Sequence, residues 1–165
     1  FAVKPTKTNA MRTLEKLGVA YDAHLYDVDE SDLSAETVAA KVGLPCSQVY
    51  KTLLVRGEKK GPLFAVIAGN QELDLKALAK VAGEKKIDTV PLKDLTGLTG
   101  YIRGGVTALA AKKDFPVFLD ESARTATVIS ISAGVRGCQL FVAPSEYARA
   151  TRATWGTFQR AKSEE

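Results

Sequence analysis

The chain has 165 residues, 45% hydrophobic and 25% charged, with 23 Lys and Arg against 19 Asp and Glu for a net charge of +4. That length suits a single domain with a full core and needs no metal or disulfide support, and no apolar run approaches the ~20 residues of a membrane span. Cys46 and Cys138 lie far apart with no C-x-x-C or Cys/His ligand spacing, which excludes a disulfide framework and leaves reduced, structural thiols as the expectation.

No signal-peptide pattern follows Phe1, so a soluble, cytoplasmic protein is expected. Paired basic residues at Lys59-Lys60, Lys85-Lys86 and Lys112-Lys113 permit a polyanionic partner without demanding one, because solvated loops give the same count.

Thr8 or Asn9 can cap a first helix through Lys16, with Met11, Leu14 and Leu17 at helical spacing and Gly18 closing it. Val19, Tyr21, Ala23 and Leu25 then alternate with Asp22, His24 and Tyr26, the pattern of a half-exposed strand. His24, the sole histidine, falls on the polar face and reads as a surface residue rather than a base. Asp29 to Asp32 form a turn, Ser34 caps a helix through Val42, and Gly43-Leu44-Pro45 ends it.

Val49 to Val55 is the stretch around which the rest is organised. It reads as a buried strand, yet Lys51 sits in its middle, projecting with Val49, Leu53 and Val55 while Tyr50, Thr52 and Leu54 take the other face. An ammonium among apolar neighbours needs an anionic or carbonyl partner, or it loses its proton. A rim lysine whose stem lies along the sheet and whose head reaches water is the other reading.

The polar turn Arg56 to Gly61 leads to a second apolar run, Pro62 to Gly69, and the two runs predict a hairpin at the sheet centre. Asp74 caps a third helix carrying Leu75, Leu78 and Val81 and ending at Gly83. Ile87 to Val90 predict a short strand, and Pro91 to Leu95 one helical turn. Strands are expected over Phe115 to Leu119, Thr125 to Ile131 and Leu140 to Val142, and Ser145 is expected to cap a last helix running into Arg149 and Arg152. The predicted fold class is α+β: a single domain, residues 1–165, with a mixed, curved, barrel-like β-sheet flanked by helices.

Two glycine-rich loops stand out, Gly97 to Gly105 and Ser132 to Gly137. Such loops aim backbone N–H groups at an anion or a carbonyl oxygen, or they are simply tight turns needing positive φ. Neither matches a phosphate-binding fingerprint, and the chain holds no Ser-His-Asp or Cys-His set, no H-E-x-x-H and no hydrolase-type carboxylate pair. Any catalysis must work without a strong protein nucleophile.

Taken together, Val49-Tyr50-Lys51-Thr52-Leu53-Leu54-Val55, Gly100-Tyr101-Ile102-Arg103-Gly104-Gly105 and Ser132-Ala133-Gly134-Val135-Arg136-Gly137 resemble the YbaK/EbsC family of trans-editing aminoacyl-tRNA deacylases, related to the editing insertion of bacterial prolyl-tRNA synthetase. Leu14-Glu15-Lys16, His24-Leu25-Tyr26 and Leu73-Asp74-Leu75-Lys76 extend the resemblance over nearly the whole chain.

It implies a mixed sheet with a substrate cleft, an essential Lys51, and a lining contributed by Tyr26, Thr52, Gly100, Gly104, Gly105, Ser132 and Gly134. The implied substrate is cysteine esterified to tRNA(Pro), and also tRNA(Cys), released when its own thiol attacks the ester. No cofactor, metal or membrane is implied, and the implied partner is prolyl-tRNA synthetase in a transient complex. Ala108 and Ala110 stand where relatives have proline and glycine, and Gln139 where an acid is found, so a related small amino acid such as alanine remains open. A non-catalytic tRNA- or synthetase-binding module and a hydrolase or binder for another small ester or nucleotide are the readings from other classes.

Overall fold

A computed structural model describes residues 6–163, so the chain start at Phe1 lies outside the described part. The first helix, α1 (Asn9–Lys16), is capped by Thr8, whose hydroxyl accepts the Met11 N–H at 3.3 Å. The strand β1 (Asp22–Leu25) follows, shorter than its alternation suggests. Next, α2 (Ala35–Val42) starts on the Ser34 hydroxyl and ends at Gly43. A 3-10 turn over Cys46–Gln48 feeds β2 (Tyr50–Gly57), which turns into β3 (Gly61–Ala68). The expected hairpin is present in full register, with Lys51 opposite Ile67 and Leu53 opposite Ala65.

Further on come β4 (Gln71–Leu73), α3 (Leu75–Ala82) capped by Asp74, β5 (Ile87–Thr89) and α4 (Leu92–Thr99). The last third holds β6 (Val117–Asp120), β7 (Ile129–Ser132), β8 (Cys138–Val142), α5 (Pro144–Thr151), β9 (Thr154–Gly156) and β10 (Gln159–Ala161).

Several elements differ from expectation. Instead of one turn, α4 runs for eight residues. Residues Glu121–Thr125 form a 3-10 turn headed by Asp120, which takes the first residue of the predicted strand at Thr125 and delays β7 to Ile129. The last helix begins at Pro144 with Ala143 as cap, because the proline ring presets helical φ and lacks the N–H a cap would satisfy. The three-residue strands β4, β9 and β10 are too short to show periodicity and are held by their partners.

Five strands form the main sheet in the order β5-β2-β3-β6-β9, antiparallel from β5 to β3 and parallel from β3 to β9. A three-stranded sheet, β1-β8-β7, meets it at one parallel bridge, Val49 to Ser130, and β10 pairs with β4. The architecture is mixed α+β with helices at the sheet margins, and no closed barrel forms among the described residues. None of the described helices is long and apolar enough to cross a membrane.

Alternation along the hairpin separates two cores. Tyr50, Leu54, Phe64, Val66 and Ala68 join the larger one with Leu14, Leu119, Ile131, Leu140 and Tyr147. Val55, Leu63, Ala65 and Ile67 pack with Leu78 and Ala82 of α3. Both faces of the hairpin are therefore covered, which is why its sequence is apolar without clean alternation.

Asp120 ties the C-terminal segment to this body. Its buried carboxylate accepts from Ser122 N at 3.0 Å, Phe158 N at 2.9 Å and Gln159 N at 3.1 Å. Removing a buried acceptor strands its donors, at about 1–3 kcal/mol each. Asp120→Ala is expected to lower unfolding stability by about 3 kcal/mol in a urea titration. A loss below about 1 kcal/mol would show that the clamp is dispensable.

Candidate functional site

The site begins with a gap in the sheet. Gly69 N donates to Val49 O at 2.6 Å on the β3 side, so the main chain of the odd-numbered residues Val49, Lys51 and Leu53 faces β3. Tyr50, Thr52 and Leu54 consequently turn their N–H and C=O groups to the opposite edge. That edge carries the Ser130 bridge at Val49 and the β5 pairing from Val55 onward, with no strand in between among the described residues. A cleft of about 590 Å³ opens along this stretch. The start of α2, the segment from Thr89 to Leu95, Arg103 and Gly104, Ser132, Gln139 and Lys162 complete its lining.

Lys51 enters the cleft from the α3 face of β2. Its Nζ donates to Gly69 O at 3.3 Å and is half-buried. Burial holds its pKa below the ordinary lysine value, and the Lys162 ammonium adds to that push while Glu36 and Glu72 oppose it. The anchoring carbonyl belongs to a residue that must be glycine: a Cβ at position 69 would lie 2.5 Å from Ala35 Cβ and 2.8 Å from Val49 O. Lys162 Nζ in turn bonds Glu36 Oε1 at 2.5 Å.

The two glycine loops dock on each other. Arg136 Nε donates to Arg103 O at 2.8 Å, and a Cβ on Gly105 would sit 3.0 Å from Val135 C, so any side chain there would press on the facing backbone. Most of the loop amides have local partners: Gly100 N bonds Thr96 O at 2.8 Å as the left-handed end of α4, Gly105 N bonds Ile102 O at 2.9 Å, and Gly134 N bonds Ser132 Oγ at 3.1 Å. Tyr101 crosses between the loops, its hydroxyl donating to Leu109 O at 2.6 Å and its ring against Gly134. Ala110 just beyond holds φ 54, left-handed for a residue with a Cβ.

Of the residues singled out in the sequence, Lys51, Thr52, Gly104 and Ser132 line one cleft. Gly100, Gly105 and Gly134 shape the loops behind it without reaching its wall. Tyr26 N–H bonds Gly137 O at 3.0 Å, and the half-exposed Tyr26 is not part of the lining. His24 stacks on Phe141, ring centroids 3.8 Å apart, and is also outside it.

Sequence reasoning missed Glu36, Gly69 and Tyr147. Tyr147 is fully buried and its hydroxyl has no hydrogen-bond partner among the described residues; burial drives its pKa up, and Thr52 lies close enough to temper the shift. The signal for Gly69 was its place at the end of the hairpin, read there only as a strand terminus.

The cleft thus pairs one desolvated ammonium with hydroxyls and free strand backbone, and its lining contains neither histidine nor cysteine. These groups can anchor and polarise a bound ligand, and they sit in a small α+β domain. The sequence profile of the aminoacyl-tRNA editing domain matches residues 29–150, and the chain belongs to that family, the YbaK/EbsC group.

A protein of Enterococcus faecalis with the provisional name Cys-tRNA(Pro)/Cys-tRNA(Cys) deacylase EbsC is 49% identical over 138 residues, 84% of either chain. A proline–tRNA ligase of Thermodesulfovibrio yellowstonii is 41% identical over 51 residues, 31% of this chain and 9% of the ligase. A crystal structure described provisionally as a trans-editing enzyme for prolyl tRNA synthetase superposes with a TM-score of 0.81 at 22% identity, covering 97% of this chain and all of that one, and shares the fold.

A lysine whose pKa is lower folded than unfolded binds its proton less tightly in the fold. Its contribution therefore weighs against stability at neutral pH and is relieved as pH rises through the depressed pKa toward the ordinary value. Lys51→Met, which keeps the stem and removes the charge, is expected to leave Tm at pH 7 equal or higher, within about 3 °C. A larger fall would mean that the ammonium is a structural anchor. Ala110→Gly, relieving the left-handed backbone, is expected to stabilise by about 1 kcal/mol in the same melts, and a destabilised variant would remove the strain argument.

Proposed function

We propose that the chain is a trans-editing deacylase that clears cysteine from mischarged tRNA(Pro), and also from tRNA(Cys), as one cytoplasmic domain working beside prolyl-tRNA synthetase. The observation that carries this reading is the convergence of Lys51, Thr52, Gly104 and Ser132 on a cleft whose lining has no histidine or cysteine to act as base or nucleophile. The 49% identity to the Enterococcus faecalis protein supports the choice of substrate.

In this mechanism the substrate supplies the nucleophile. The cysteinyl thiol attacks its own carbonyl carbon; the C–S bond forms, the C–O bond to the ribose breaks, and the thiol proton ends on the departing ribose oxygen. A thiolactone and free tRNA result, and water later opens the ring. Holding a thiol against its own carbonyl raises effective concentration enough to remove several kcal/mol of barrier, so the protein needs geometry more than reactivity.

Lys51 anchors and polarises the reacting end. The Thr52 backbone and the Gly104 turn face the carbonyl oxygen as charge grows on it, a role in which one good donor is worth roughly 3 kcal/mol. Cys46 and Cys138 take no part, and burial raises both thiol pKa values, which keeps them protonated.

Purified protein with Cys-, Ala- and Ser-charged tRNA(Pro), with and without the synthetase, tests the reading. Lys51→Ala is expected to lower kcat/KM for Cys-tRNA(Pro) by at least about 100-fold with the fold retained; turnover at the wild-type rate would remove the proposal. The seryl and alanyl esters, lacking the thiol, are expected to be poor substrates. Equal loss of the alanyl ester would place the chain with alanine-directed deacylases, and salt-sensitive tRNA binding without ester loss would make it a binding module.

A further inference from the structure

The cleft contains a second ammonium that the deacylation chemistry does not use. Lys162 follows β10, the last strand, and its position is fixed from three sides. β10 pairs with β4 through Gln159, Arg160 and Ala161. Asp120 accepts the Gln159 N–H at 3.1 Å, and the Gln159 side chain accepts Ala68 N at 3.0 Å beside the end of β3. The strand held in this way delivers Lys162 to the cleft wall beside the start of α2.

There it meets Glu36 at 2.5 Å, both side chains 47% exposed. Glu36 sits in the first turn of α2, whose free N–H groups favour an anion, and Ser34, Ala35 and Glu36 all line the cleft. A half-exposed pair of this kind contributes little to stability, so stability alone does not account for a clamped strand that sets an ammonium beside this helix. A cation, a helix start and a resident carboxylate at the mouth of a cleft instead form a site in which an incoming anion can replace the carboxylate.

We propose that Lys162 is a phosphate-binding residue that receives the sugar-phosphate backbone of the tRNA 3′ end, with Glu36 as the counter-ion that the phosphate displaces. This rests on the deacylase reading for the identity of the ligand. It gives the two lysines separate tasks: Lys51 acts at the ester, and Lys162 fixes how far the single-stranded end enters. Filling the site with a phosphate also bears on Lys51, whose pKa the Lys162 ammonium lowers and Glu36 raises, because the phosphate adds negative charge beside that pair.

The test is fluorescence anisotropy of a labelled, uncharged oligonucleotide with the tRNA 3′-end sequence, titrated at several salt concentrations, alongside steady-state deacylation of Cys-tRNA(Pro). Lys162→Gln is expected to weaken binding severalfold and to reduce the slope of log affinity against log salt by about one, while Lys162→Arg retains both. Glu36→Gln, freeing the ammonium, is expected to tighten binding. In deacylation, Lys162→Gln raises KM and leaves kcat near the wild-type value.

Lys7→Gln, at an exposed lysine paired with Glu15 outside the cleft, is the control and should bind as wild type. Wild-type affinity and slope in Lys162→Gln, an equal loss in Lys7→Gln, or no measurable wild-type binding at low salt would each overturn the proposal. Unaltered melting of Lys162→Gln separates lost contact from lost fold. Binding that follows this pattern in a protein that cleaves no aminoacyl ester would sink the deacylase reading and leave the phosphate site standing.

Discussion

The cleft depends on a single short region where Lys51 Nζ, Gly69 O, Val49 O and the start of α2 crowd together. Val49 O accepts Gly69 N at 2.6 Å, setting the register of β2 against β3, and the same glycine leaves its carbonyl to the ammonium. Ala35 approaches so closely that any side chain at position 69 would collide with it. Strand register, helix placement and the position of a half-desolvated charge are consequently one constraint. A lysine here is unfavourable to the fold at neutral pH, and groups kept against their solvation preference are commonly those needed for chemistry.

The remaining parts of the site come from distant segments and need separate support. Gly104 and Ser132 reach the cleft because their loops lock together through Arg136, Gly105 and Tyr101. Lys162 reaches it because Asp120 fixes the strand before it. Between them lies a stretch of β2 whose backbone groups on the edge away from β3 have no strand partner among the described residues, so the cleft presents polar main chain that is already oriented. An arrangement of that kind can stabilise charge without reorganising.

Much of this was legible in the sequence because local rules determined it. Thr8, Ser34 and Asp74 cap the helices they were expected to cap, and the Val49 to Gly69 hairpin follows from two apolar runs around a polar turn. Lys51 was visible as a charge out of place. What could not be read depends on partners remote in sequence: β4, β9 and β10 exist through pairing rather than periodicity, and Glu36 and Lys162 look like ordinary surface charges until the tail is placed beside α2. The loop glycines were legible as special, but the reason differs by position. Gly104 faces the cleft, whereas Gly100 ends a helix and Gly105 admits a neighbouring backbone.

The missing rung beside Tyr50 to Leu54 also bears on solubility. An unpaired strand edge is a template on which another extended chain can add itself, and natural sheets usually disarm such edges. Here the edge lies inside a cleft of about 590 Å³, with a lysine beside it and helix and loop walls around it. Those walls therefore also keep other copies of the chain from pairing there, and a variant that widened the cleft would uncover the edge at the risk of fibre formation.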